Sequence, residues 1–155
     1  MADVLAHPRA QRQATARLRR RRDDLWIAST ALFAALFALP FAQSSWHGPE
    51  VASVLAIAAT ALLAGQRWAI AVIVVAELLL MPTMWPRAFV GDAELMPRLV
   101  ALATVAAVVP GVLSMRRAAA ALVLITDRAR TRQNCRRFHT GLVLIGLLAA
   151  LLPLV

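Results

Sequence analysis

The stretch RWAIAVIVVAELLLMPTMWP, Arg67 to Pro86, constrains the fold more than any other part of the chain. It is an apolar run bracketed by Trp68 and Trp85, with one carboxylate, Glu77, near its midpoint. About 20 apolar residues cross a bilayer as a helix rising about 1.5 Å per residue. Tryptophan at each end suits the two membrane–water interfaces.

Similar runs recur along the chain, and arginine clusters separate them. The expected fold is all-α: a multi-pass transmembrane helix bundle with spans at about 25–42, 51–66, 68–85, 99–115 and 140–155. A basic arm, residues 1–24, precedes the helical domain, residues 25–155, and a basic cytoplasmic helix precedes the last span. That gives five spans. If the short final run is re-entrant or interfacial, there are four, and both termini lie on one side.

Segregation of apolar and basic residues also reconciles two features of the composition. The chain is 61% hydrophobic, yet its formal net charge is +9. Every basic residue is arginine and tyrosine is absent, a bias that suggests a GC-rich, bacterial coding sequence. A pI near 11.8 raises nucleic-acid binding. Arginine clusters beside apolar runs are instead what fix topology in a bilayer, so no nucleic-acid partner is expected. With the N-terminus cytoplasmic, every arginine except Arg87 and Arg98 falls inside. The expected location is therefore the cell inner membrane, with the N-terminus in the cytoplasm.

The arm carries Arg9, Arg12, Arg17 and the block Arg19, Arg20, Arg21 and Arg22, closed by Asp23 and Asp24. It reads as a loose helix or disordered arm near anionic lipid headgroups, where each arginine gains about 1 kcal/mol. The plainer alternative is that it only holds the N-terminus inside. A cleaved signal peptide fits poorly, because the apolar run is long for one and Leu39 and Phe41 disfavour cleavage.

In the second span, Ala52, Ala56, Thr60 and Ala64 recur every four residues and suggest a small-residue face for close helix approach. Gly65-Gln66-Arg67 reads as a tight turn. Residues 43–50 and 86–98 read as outer loops, with Trp46 at the interface and a short helix near Ala93 to Met96. The fourth span contains Pro110-Gly111, and the proline is expected to kink it. After Arg116 and Arg117 only nine apolar residues follow, too few to cross. Ala118 to about Phe138 therefore reads as a cytoplasmic helix with a basic second half.

Glu77 is the best functional candidate, about 13 Å from either interface. A carboxylate there should face the bundle and be partnered or protonated. Thr60 is the expected hydrogen-bond partner, with Thr104 second. Two roles follow: binding a proton or cation during transport, or fixing helix packing as a neutral acid. Arg19 to Arg22 and the inner-loop residues Arg128, Arg132, Arg136 and Arg137 are candidates for lipid or partner contact.

No metal or cofactor is expected. His7, His47 and His139 lie far apart. Met81, Met84, Met96 and His47 could in principle hold copper(I), but methionine is also an ordinary gap-filler. Cys135 reads as an incidental reduced thiol.

The chain has no nucleophile with a nearby base, no phosphate loop and no paired carboxylates, so it is not expected to be an enzyme. The expected function is that of a non-catalytic accessory or assembly subunit, working with other membrane proteins or as a homo-oligomer. The alternative is a small transporter or channel subunit using Glu77; a phage-type holin is a third reading. The likeness to small bacterial multi-pass proteins is one of hydropathy only.

Overall fold

One helix, Ala69–Phe89, lies at the centre of the molecule and contains most of the apolar run from Arg67 to Pro86. The computed structural model describes residues 3–42, 48–90, 94–126, 129 and 131–154. Among these there are six α-helices, a closing 3₁₀ turn and no strand. In chain order they are α1 (Asp3–Ala42), α2 (Gly48–Leu63), α3 (Ala69–Phe89), α4 (Leu95–Leu113), α5 (Met115–Ile125) and α6 (Arg132–Leu151). The 3₁₀ turn covers Leu152–Leu154.

Helix α3 packs against α2, α4, α5 and α6, and only Val75, Leu79 and Phe89 along it are exposed. It is apolar on every side because it has neighbours on nearly every side. Helix α1 packs on α2 and α4, and α5 packs on α6.

Small residues line the contacts and large ones point outward. On α1, Ala28, Ala31, Ala34, Ala35 and Ala38 are buried, whereas Trp26, Phe33, Leu36 and Leu39 are exposed. Alanine lets helix backbones approach closely, and dispersion across that short gap supplies the attraction. Phe33 and Phe37, one turn apart on the outer face, stack with ring centroids 6.2 Å apart.

Several sequence-based expectations need correction. Two described helices, α3 and α4, are long and apolar enough to cross a membrane, so the five-span or four-span count is not supported. Helix α2 has 16 residues, about 24 Å of helix, which falls short of a hydrocarbon core of about 30 Å. Helix α6 opens with Arg132, Arg136 and Arg137, leaving a short apolar remainder. Helix α1 carries its apolar stretch as the second half of a 40-residue helix whose first half is basic. The arm is therefore continuous with the helix that follows, with no break at residue 24.

The single cytoplasmic helix expected from Ala118 to Phe138 is instead two helices. Ser114 turns the chain out of α4, and α5 then packs on α3 and α6, burying Ala118, Ala119, Ala121 and Val123. The chain leaves α5 at Thr126, and Thr131 starts α6 by accepting a hydrogen bond from the Asn134 N–H.

The expected outer loop after Trp85 is shorter than the sequence suggested. Helix α3 runs on through Pro82 and Pro86 to Phe89, and Leu95 already belongs to α4. Arg98 closes this hairpin by donating from Nε to the Ala88 carbonyl, 3.2 Å away. A cation at the last turn of a helix complements the carbonyls left free there. Trp46, His47 and Ala93 lie outside the described residues.

The tight turn after α2 is present. Gly65 has φ +88°, its N–H bonds to the Leu62 carbonyl, and the Gln66 N–H bonds to Ala61. This pair of bonds is a Schellman ending, which requires the left-handed conformation glycine adopts without cost.

Candidate functional site

Glu77 sits on the face of α3 that meets α4, with none of its surface exposed. Its partner there is Gly111. A Cβ built on Gly111 would collide with the Glu77 carboxyl group, so the acid fills the notch that the missing side chain leaves. Neither carboxyl oxygen has a hydrogen-bond partner. An ionised carboxylate without partners in such a place costs several kcal/mol, so the geometry suits the neutral acid.

The expected partnership with Thr60 is absent. Thr60 is exposed on α2, and its hydroxyl donates to the Ile57 carbonyl at 2.8 Å, within its own helix. A helical threonine can satisfy its hydroxyl in this way wherever it faces. The buried face of α2 is accordingly Ala52, Leu55, Ala58, Ala59 and Leu62, which shares only Ala52 with the stripe through Thr60. Thr104 is fully buried on α4, but its hydroxyl donates to the Val100 carbonyl at 2.8 Å.

Two further residues shape the packing of α4 and α6 about α3, and the sequence reading passed over both. Ser114 is buried three residues beyond Gly111, and its hydroxyl donates to the Gly111 carbonyl at 2.7 Å. Gly146 on α6 lets that helix close on α3: a Cβ there would lie 3.2 Å from Leu78, the residue after Glu77. Gly111 was visible in sequence only as the second half of a Pro-Gly pair, which signals a kink before it signals close approach.

The candidate arginines separate into different environments. On α1, Arg17, Arg20 and Arg21 line a cleft of about 350 Å³ with Arg67 from the turn after α2. Arg22 lines a second cleft of about 760 Å³ with Trp26, Pro110, Leu113 and Arg117. Arg19 lines neither of these. Between the clefts, Asp24 pairs with Arg117, tying α1 to α5. Arg132, Arg136 and Arg137 are exposed along the first two turns of α6, and Arg128 lies outside the described residues.

Glu77 lines neither cleft. Among the described residues no three His, Cys, Asp or Glu side chains gather where they could hold a metal ion. Cys135 is half-buried and free.

No protein-family model, curated protein or solved structure matches this chain.

Proposed function

We propose that this chain is an integral protein of the bacterial inner membrane, with its basic N-terminus cytoplasmic, acting as a non-catalytic accessory or assembly subunit. The α3–α4 hairpin is its membrane-crossing unit, with the apolar half of α1 and helix α2 packed alongside. Support for the membrane comes from burial. Only 22% of the most apolar window of α4 is buried, and Leu113, Ile57, Leu36 and Trp26 are among the large residues facing out. Large residues outward over an alanine-lined interior is the pattern that lipid as solvent permits.

The observation that carries the subunit reading is the seating of Glu77 against Gly111. The acid fills a helix–helix contact and does not line either cleft. Packing is the work such a placement supports, and the outward apolar faces remain available to partner helices in the bilayer.

The test is affinity isolation of the tagged chain from membranes in mild detergent. A stable complex with other membrane proteins is expected. A homo-oligomer that carries protons or cations across liposomes, and loses that activity in Glu77→Gln, would instead make it a small transporter or channel subunit. What favours that second reading is the pair of unpartnered carboxyl oxygens on Glu77.

A further inference from the structure

We propose that Arg17, Arg20 and Arg21 of α1, with Arg67 of the α2–α3 turn, form a binding site for the headgroup of one anionic phospholipid. The site rests on the membrane reading above and adds to it a specific ligand at a defined place.

Residues at i, i+3, i+4, i+7 and i+8 share one face of a helix. Because α1 is continuous through residue 24, Arg17, Arg20, Arg21, Asp24 and Leu25 fall on one stripe, and all five line the same cleft. The opposite wall comes from the end of α2, where Leu62 and Leu63 precede Gly65 and Arg67. The Schellman turn at Gly65 brings Arg67 back against α1. Four arginines from two elements thus line about 350 Å³ of space.

The charge is unbalanced. The one carboxylate lining the cleft is Asp24, which is committed to Arg117 on its other side. Guanidinium groups bind phosphate oxygens through two parallel N–H donors, so an uncompensated cluster of them selects a phosphate monoanion or diester.

A lipid is favoured over free phosphate because the same cleft has an apolar border. Leu25 and Leu63 are 46% and 44% exposed at its edge. They lead from the arginines toward the apolar faces of α1 and α2, as a headgroup above an acyl chain requires.

The experiment uses the full chain purified in detergent and titrated with phosphatidylglycerol, phosphatidylcholine or inorganic phosphate, with bound lipid read by native mass spectrometry. Phosphatidylglycerol is expected to bind in preference to phosphatidylcholine, and excess phosphate is expected not to displace it. Arg20→Ala with Arg67→Ala should weaken binding about thirtyfold, since each arginine near an anionic headgroup contributes about fivefold.

Arg12→Ala with Arg19→Ala removes the same charge outside the cleft and should bind as the parent does. Arg20→Ala alone, on an exposed face, gives the reading if the double variant misfolds. Equal losses in the two charge-matched variants, no loss in either, or displacement by phosphate would overturn the site. Alkaline extraction of membranes separates the two claims. Release of the chain overturns the membrane reading, whereas retention without lipid preference overturns the lipid site alone.

Discussion

The carboxyl group of Glu77 occupies the volume that a side chain at Gly111 would need, which makes the two residues a matched pair across the α3–α4 contact. Each is explained by the other: the glycine leaves a notch, and the longer side chain fills it without meeting a polar partner.

Replacing the acid by an unbranched apolar side chain of similar volume should therefore be tolerated. Glu77→Met keeps the reach into the notch and removes two buried oxygens that have no partner. Removing such groups is worth about 1–3 kcal/mol, so the thermal midpoint in detergent should stay level or rise. A collapse of the variant would mean that the carboxyl makes a polar interaction essential to the fold.

The turn after α2 gives a prediction of the backbone alone. Nothing lies within 4 Å of a Cβ at Gly65, but its φ is +88°. Gly65→Ala should cost about 1 kcal/mol through left-handed strain without any steric clash. Gly65→Asn should cost less, because asparagine tolerates that region better. Thermal unfolding of the two variants side by side checks the order.

The Asp24–Arg117 pair joins α1 to α5 with side chains 24% and 30% exposed. Partial exposure limits its worth to about 1 kcal/mol or less. Asp24→Asn and Arg117→Gln should each destabilise slightly and the double variant by less than their sum, with the coupling shrinking as salt rises. Unfolding midpoints at low and high ionic strength measure it.

Gly146 offers a graded counterpart to Gly111. A methyl there would meet Leu78 at 3.2 Å and Met115 at 3.5 Å. Both are flexible side-chain ends that can give way, so Gly146→Ala should cost about 1 kcal/mol. A loss as large as that of a methyl at Gly111 would mean that α6 is held more rigidly than these contacts imply.

What the sequence made legible follows from where it is uneven. The run from Arg67 to Pro86 stood out because it is long, uniformly apolar and interrupted once, and the structure makes α3 the central helix with Glu77 buried. Helix rotation was not legible. In α2 nearly every residue is apolar, so no polar face marks the outward side, and a stripe through Thr60 looked as good as the observed one through Leu55 and Leu62. Thr60 misled for a related reason, since a helical threonine satisfies itself and need not face a partner. The arginine block looked like a unit, but 100° per residue sends Arg20 and Arg22 to different clefts. Gly111 was hidden because the proline before it supplied a sufficient reason for a glycine there.

The most direct measurement is a double-mutant cycle in thermal unfolding across Glu77 and Gly111. Gly111→Ala alone should cost about 3 kcal/mol by overpacking the notch, and Glu77→Ala about 2 kcal/mol by emptying it. Combined, the new methyl enters the space that the carboxyl vacated, so the double variant should be more stable than Gly111→Ala alone, with a coupling of about 3 kcal/mol. Strictly additive losses, or a Gly111→Ala variant as stable as the parent, would contradict a packing role for Glu77.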